Sequence, residues 1–170
     1  MSLISLDLPT GNIGDLTVPT STAQYKLGRV VTFQDPDTQT VKKFKYVYAS
    51  VALTKNAPYA VTNTPTSGKE VQAATPITLA GAVTEVCFPQ VAFTSGYYGF
   101  VQIEGNGNAV ITASATAVAG CQYSVTNGNA TLTGTTGIVQ TINTCAYLVT
   151  TTTGSTGAMY FPGNRVEVTS

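Results

Sequence analysis

The second half of the chain contains a long segment without charge. No Asp, Glu, Lys, Arg or His occurs in residues 105–164, which are 60 of the 170 residues. Charged residues make up 9 % of the whole chain, against about 25 % in ordinary soluble domains. The segment lacks the side chains that most enzymes use for acid–base chemistry. We expect part of so uncharged a surface to be covered by other molecules.

The uncharged segment has the pattern of β-strands. A membrane-spanning helix needs roughly 20 consecutive apolar residues, whereas Thr, Ser, Asn and Gly interrupt the apolar runs here after a few residues. Clusters of Gly and Asn at residues 105–108, 127–128, 134–137 and 154–157 separate these runs, and Asn-Gly is a strong hairpin-turn signal. The pattern predicts an all-β fold, an antiparallel β-sandwich or barrel, with turns at these clusters.

Residues 1–22 are predicted to form an extended N-terminal arm, and residues 23–170 a single β domain. Ile4, Leu6 and Leu8 alternate with Ser5 and Asp7, and Pro and Gly residues follow. An amphipathic strand on a turn-rich tether is suited to pairing with the sheet edge of a neighbouring subunit. Ile4, Leu6 and Leu8 are therefore the predicted partner-binding residues. The alternative is that the arm supplies the first strand of its own domain.

The first half of the chain predicts a hairpin and two further strands. Residues 25–33 and 41–50 flank a turn at Gln34-Asp35-Pro36-Asp37, where Pro fixes φ and Asp can accept backbone hydrogen bonds. Strands are also predicted at residues 83–88 and 97–104. Residues 56–76, rich in Pro, Thr, Asn and Ser, are predicted to be a long surface excursion.

Lysines and aromatic residues alternate in residues 42–48. The two-residue period places Phe44, Tyr46 and Tyr48 on one face of the strand and Lys43 and Lys45 on the other. Binding of single-stranded nucleic acid requires cations and stacking rings on the same surface, so this segregation argues against it. We expect the lysines either to protect a strand edge from unwanted pairing or to meet an acidic partner surface.

No catalytic, cofactor or metal site is predicted, and the protein is expected not to be an enzyme. The chain has no His, which removes the usual base of nucleophilic triads and a common zinc ligand. Glu85 and Glu104 are an alternative glycosidase pair, but alternation predicts that Glu85 faces water and that Glu104 ends its strand. Asp35 and Asp37 are too few for a calcium loop and are better explained as turn-capping residues.

Composition also bears on partners and compartment. The net charge is zero and the pI is about 6.1, so neither nucleic acid nor a membrane is an expected partner. Cys87, Cys121 and Cys145 form no Cys-x-x-Cys pair and are predicted to be buried free thiols; one disulfide with one thiol left over is the alternative. The N-terminal sequence lacks a basic secretion signal, so assembly in a cytosol is expected.

Several motifs resemble a known family. They are Gly96-Tyr97-Tyr98-Gly99-Phe100-Val101-Gln102-Ile103-Glu104-Gly105, the Ala/Thr/Val run that ends in Ala117-Val118-Ala119-Gly120-Cys121, the Gly/Thr-rich residues 126–139, Tyr25-Lys26-Leu27-Gly28, and Lys45-Tyr46-Val47-Tyr48-Ala49-Ser50. Together they resemble the auxiliary head proteins of tailed bacteriophages, known as decoration or cement proteins. The resemblance covers most of residues 25–150, although residues 56–76 do not match it.

The resemblance implies a virion structural protein that binds the outer surface of a phage capsid and bridges capsomers. Its partners would be the major capsid protein and further copies of itself, as a homotrimer or, next, a dimer, located at the capsid surface. One alternative is another phage structural component, such as a tail, fibre or head-fibre domain. A further alternative is a carbohydrate-binding β-sandwich with Tyr97, Tyr98 and Phe100 as a stacking platform, although alternation favours Tyr98 and Phe100 as core residues.

Overall fold

The computed structural model describes residues 4–5, 16–35, 39–62, 72–74, 83–111, 119–125, 131–135, 144–163 and 165–167. These residues form twelve β-strands. Their bounds are β1 Ile4–Ser5, β2 Val30–Gln34, β3 Val41–Ala49, β4 Tyr59–Thr62, β5 Gln72–Ala74, β6 Val83–Cys87, β7 Tyr98–Val110, β8 Gln122–Val125, β9 Leu132–Thr135, β10 Thr144–Leu148, β11 Thr156–Phe161 and β12 Arg165–Glu167. No helix of the described part is long and apolar enough to cross a bilayer.

The strands form two sheet regions that share β7. The first sheet region contains β1 to β6 and β12, and the second contains β8 to β11. The order of paired strands is β12-β6-β4-β5-β3-β7-β11-β10-β8-β9, and β2 pairs with β3 beside this path. Every ladder between described strands is antiparallel except β3–β5. Isolated bridges, Phe88 to Gln102 and Ile111 to Leu132, bring outer segments back toward β7, and the described strands do not form a closed barrel. The predicted all-β class is confirmed, in a sandwich-like form.

The turn predicted at residues 105–108 is wrong, because β7 continues through it to Val110. The register against β3 shifts between Lys43, which faces Glu104, and Phe44, which faces Gln102. Next to this bulge, Gly105 has a φ of 92°, and a Cβ at this position would overlap the carbonyl oxygen of Val41. The glycine is therefore explained by a close backbone approach rather than by a turn.

Two other glycine clusters also contribute to strands. Gly134 lies in β9, where a Cβ would come within 3.0 Å of the Tyr123 ring. Gly157 lies in β11 and is buried, with the Leu148 side chain directly against it. The predicted turn at residues 127–128 lies outside the described residues. In this half of the chain, glycine often marks close packing between strands.

The hairpin predicted in the first half is confirmed. β2 pairs with β3 from Val30 opposite Lys45 to Gln34 opposite Val41, and the Asp35 N–H donates to the Thr40 carbonyl at 2.9 Å. The prediction that residues 56–76 form a long surface excursion is wrong for the part that the structure describes, because β4 and β5 lie within it. Residues 63–71 and 75–76 lie outside the described residues. The reason is local: the run of β4 is short but apolar, and its first three residues are buried.

A repeated structural unit lies between β3 and β7. The β3–β4 connection (residues 50–58) and the β6–β7 connection (residues 88–97) cross each other at Leu53 and Phe93, 40 positions apart. The Leu53 N–H donates to the Phe93 carbonyl at 3.0 Å, and the Phe93 N–H donates to the Leu53 carbonyl at 2.9 Å. The flanking pairs show the same offset. Tyr59 faces Cys87, and the residues 40 positions from each of them, Gly99 and Val47, also face each other. The two connections are thus related by a local pseudo-twofold axis.

The second sheet region repeats part of this arrangement. Near the pseudo-twofold axis, Gly96 donates to the Ala49 carbonyl and Ala49 donates to the Tyr97 carbonyl, both at 2.8 Å. In the second region, Gly120 donates to the Leu148 carbonyl at 2.7 Å, and Leu148 donates to the Cys121 carbonyl at 3.0 Å. Gly96 and Gly120 have the same φ of 86°. The same pair of backbone hydrogen bonds, next to a glycine with positive φ, therefore joins strands in both halves of the molecule.

Three apolar clusters hold the sheets together. The first lies under the second sheet region and contains the ring pair of Phe88 and Phe161, stacked at 3.9 Å. The second surrounds the crossing connections and includes Leu53 and Phe93. The third is an aromatic cluster between β2, β3 and β7, closed by Leu16. These clusters make the shared strand β7 the centre of the packed interior.

Candidate interaction surfaces

The predicted arm is in part attached to the domain of its own chain. Ile4 and Ser5 form the antiparallel strand β1 opposite Gln34 and Phe33 of β2. This pairing is the one expected if the arm supplies the first strand of its own domain. The partner-binding role of Ile4, Leu6 and Leu8 stays a prediction, because Leu6 and Leu8 lie outside the described residues and only the backbone of Ile4 is described.

The last part of the predicted arm also packs on the domain. Leu16 is buried in the third apolar cluster, and Thr20 exchanges backbone hydrogen bonds of 2.9 Å and 2.8 Å with Tyr98. The Gln24 N–H donates to the Tyr46 hydroxyl at 2.9 Å. Residues 16–24 therefore cross the aromatic end of β3 and β7 as part of the packed domain.

An open cleft of about 430 Å³ lies beside this crossing segment. We call it the tyrosine cleft; it is lined by Val18, Thr20, Gln24, Tyr25, Tyr46, Tyr98 and Gly99. The rings of Tyr46 and Tyr98 contribute to the wall but are buried in the aromatic cluster, and the Arg29 guanidinium lies 5.2 Å from the Tyr25 ring centroid. Most of the aromatic surface here is already used by the domain itself.

The lysines of β3 are paired within the chain. Lys42 lies 3.4 Å from Asp35, Lys43 lies 2.8 Å from Glu104, and Lys45 forms an ion pair with Glu85. The expectation that these lysines protect a strand edge is wrong, because β3 has β2 and β5 on one side and β7 on the other. The predicted water-facing position of Glu85 is also wrong, since its side chain is 16 % exposed.

Lys45 and Glu85 are 40 positions apart and occupy equivalent places about the pseudo-twofold axis. Their cross-strand partners, Val101 and Val61, are separated by the same offset. The ion pair therefore lies where the two repeated segments meet. Burial, and after it the Glu85 carboxylate, raises the pKa of the neighbouring Cys87 thiol far above its ordinary value, while Lys45 acts in the opposite direction. Cys87 is a buried free thiol, as predicted.

The remaining residues considered for chemistry are mostly engaged in packing. Asp35 is 1 % exposed and bound to Lys42, while Asp37 lies outside the described residues. Among the residues that the structure describes, no group of three or more His, Cys, Asp or Glu is arranged to hold a metal ion. Cys121 is a half-buried free thiol, and the side chain of Cys145 is not among those described.

The proposed stacking platform of Tyr97, Tyr98 and Phe100 does not form. Tyr98 is 8 % exposed and Phe100 is 2 % exposed, and both pack on Tyr46. The prediction that Tyr98 and Phe100 are core residues is confirmed. Their burial follows from the position of β7, which is covered on this face by the crossing segment and by Tyr25.

A different pair of tyrosines faces outward on the second sheet region. Tyr160 of β11 is 44 % exposed and lies directly opposite Tyr147 of β10. Each has buried apolar neighbours on both sides in sequence, such as Met159 and Phe161 beside Tyr160. This alternation is visible in the sequence and could have identified both tyrosines as outward-facing.

Comparison with known proteins gives limited similarity. No protein-family model matches the chain, and no curated protein matches it. Among solved structures, the chain is similar to the N base of head fibre gp8.5 from bacteriophage phi29, with a TM-score of 0.48 and 12 % sequence identity. The similarity covers 73 % of this chain and 97 % of that chain. A likeness of this extent does not assign the chain to a family.

Proposed function

We propose that the chain is a structural component of a phage particle that binds the outer surface of the capsid and bridges capsomers. The observation that carries the proposal is the neutral character of its surface. Each β3 lysine is paired within the chain, and β8, β9, β10 and β11 come entirely from the charge-free segment. Such a surface suits broad hydrogen-bonded and apolar contact with protein better than attraction of a charged polymer.

The motifs that resemble decoration proteins form central parts of this fold. Residues 96–105 build the first part of β7, and residues 45–50 lie in and next to β3. Ladder contacts with both β3 and β11 hold β7 in place. The motifs that carry the resemblance therefore form the central strands of the domain. This supports a structural role rather than an enzymatic one.

The carboxylates considered for catalysis fit this role. Glu85 and Glu104 are each bound by their own lysine, so they are arranged as two separate ion pairs. A glycosidase requires two carboxyl groups that face one substrate. We therefore propose a protein without enzymatic activity, and purified chain should leave a panel of soluble polysaccharides unhydrolysed.

The arm is the proposed means of attachment. Many identical arms that engage equivalent capsid sites would add avidity without a large individual interface. The major capsid protein is the proposed partner, and a threefold capsid site would select a homotrimer, with a dimer next. Light scattering of the purified chain tests the oligomeric state independently of capsid binding.

Co-sedimentation tests the main proposal. Purified chain is mixed with capsids of its own phage that lack it, and bound protein and the melting temperature of the capsid are measured. We expect saturable binding and a higher melting temperature. A version without residues 1–15, which retains Leu16 and the crossing segment, should stay folded but bind less. Absence of binding by the intact chain would contradict the proposal, and electron microscopy of labelled particles would show whether a fibre or tail holds it instead.

A further inference from the structure

A row of uncharged polar and aromatic side chains crosses the outer face of the second sheet region. Asn106 of β7 lies opposite Tyr160 of β11, Tyr160 lies opposite Tyr147 of β10, and Tyr147 lies opposite Gln122 of β8. Neighbouring strands are about 4.8 Å apart, so the row spans roughly 14 Å. We call these four residues the amide–tyrosine row.

The row lies on a rigid support. Met159 and Phe161, which flank Tyr160, are 0 % and 1 % exposed, and Phe161 stacks on Phe88 with an interplanar angle of 7°. Side chains on a packed sheet hold their positions more accurately than side chains on loops. The side chains of the row would therefore lose little conformational entropy when a ligand binds.

The residues around the row are uncharged, and the nearest charges are balanced. In the next row, Asn108 of β7 lies opposite Ala158 of β11. The Gln90 amide is bound to the Asn108 backbone, accepting from its N–H at 3.3 Å and donating to its carbonyl at 3.4 Å. The nearest charges along β7 belong to Glu104, two residues before Asn106, and they are balanced by Lys43. The face therefore offers rings and amides without a net electrostatic field.

We propose that the amide–tyrosine row binds a neutral glycan chain. The C–H face of a pyranose ring packs on a tyrosine ring as an apolar surface, and its hydroxyl groups match the paired donor and acceptor of an Asn or Gln amide. Two tyrosines on adjacent strands are separated by a distance close to the length of one sugar unit. A short linear oligosaccharide lying across the strands would thus meet both rings and the Asn106 amide.

Other classes of ligand fit this face less well. A nucleic acid would need cations near the rings, and β8 to β11 contribute none to this face because they come from the charge-free segment. A protein partner would meet Val149 next to the row, which is 46 % exposed, but beside it lie Asn108 and Ala158. This surface is therefore less apolar than the centre of a typical protein interface. The inference does not depend on the arm, which is the proposed means of capsid attachment and contributes no residue to the row.

The probes are neutral oligosaccharides of glucose and of N-acetylglucosamine, titrated into the intact, isotopically labelled chain and followed by two-dimensional NMR. We expect at least one series to shift the signals of the four row residues in a saturable way. Tyr147→Ala and Tyr160→Ala should each weaken binding about tenfold, and the double variant should abolish it. Tyr97→Ala, which removes a half-buried tyrosine from the first sheet region, is the matched control and should bind as the original chain does.

Three results would overturn the inference. They are the absence of any saturable shift with both series, unchanged binding by a folded double variant, and shifts confined to the tyrosine cleft. Circular dichroism and melting temperature establish that the variants are folded. If the double variant lost capsid binding while the intact chain bound no sugar, the row would be a protein contact. Loss of capsid binding on deletion of residues 1–15, with sugar binding retained, would show that the two surfaces act separately.

Discussion

Replacement of Asn56 by glycine is expected to stabilise the protein. Asn56 has a φ of 64°, in the left-handed region that glycine enters most easily. Its side-chain oxygen is buried, and no hydrogen-bond partner for it is found among the described residues. The position equivalent to Asn56 about the pseudo-twofold axis is Gly96. The second copy of the unit thus already contains the residue that the first copy lacks.

The expected gain follows from three contributions. A buried oxygen without a partner costs about 1 to 3 kcal/mol, and relief of a left-handed backbone contributes up to about 1 kcal/mol. Against these, glycine makes the unfolded chain more flexible, at a cost of about 0.5 to 1 kcal/mol. The backbone hydrogen bonds of Asn56 to Pro89 and Val110 do not involve the side chain and should persist. We expect a net gain of about 1 kcal/mol, or about 2 to 4 °C in melting temperature.

Urea denaturation and thermal melting of Asn56→Gly measure this gain. Gly96→Ala is the matched control: it places a Cβ at a φ of 86° with no atom within 4 Å, so only backbone strain should appear, a loss of about 1 kcal/mol. A loss of 1 kcal/mol or more in Asn56→Gly would refute the argument. It would mean that the Asn56 side chain holds the connection through an interaction such as an ordered water.

Three further predictions concern the interior. Lys45→Met and Glu85→Gln should each lower the free energy of unfolding by about 2 to 4 kcal/mol. The first leaves the mostly buried Glu85 carboxylate without its cation, and the second leaves the mostly buried Lys45 ammonium without its countercharge. A double variant that costs the sum of the two would contradict the pairing. Gly105→Ala should cost at least about 3 kcal/mol, since the new Cβ overlaps backbone of Val41, whereas Gly120→Ala, with nothing within 4 Å, should cost about 1 kcal/mol in the same denaturation assay. The pKa of Cys87 is raised in the folded state, so the unfolded thiol releases its proton first. Stability should therefore fall by up to about 1.4 kcal/mol per pH unit above the ordinary value of 9.0. Cys87→Ala should lack this part of the slope in urea titrations at pH 8 to 11, and an identical slope would exclude the thiol as its source.

The two-residue period predicted much of the fold because it depends only on neighbouring residues. It located β2 and β3 and placed Tyr98 and Phe100 in the core. Gly105 and Gly134 were predicted to lie in turns but lie in strands, because glycine occurs both in turns and where two segments approach closely. Only distant atoms, such as the Val41 carbonyl and the Tyr123 ring, decide between them.

The candidate surfaces were harder to predict than the strands. The pairing of Lys45 with Glu85 depends on a crossing that brings positions 40 residues apart together. A signal was present, because Val51-Ala52-Leu53-Thr54 and Val91-Ala92-Phe93-Thr94 repeat with the same offset, and comparison of the sequence with itself would have revealed it. The outward direction of Tyr147 and Tyr160 also follows from alternation, whereas their alignment with Asn106 and Gln122 required the strand register.

The continuity of β7 has a mechanical consequence. Its 13 residues run without interruption from the ladder with β3 into the ladder with β11, so the two sheet regions share one stretch of covalent backbone. A pull applied to one region is carried along that backbone into the other, and both ladders must break before the strand can leave. The domain should therefore resist stretching as one unit and unfold in a single cooperative step.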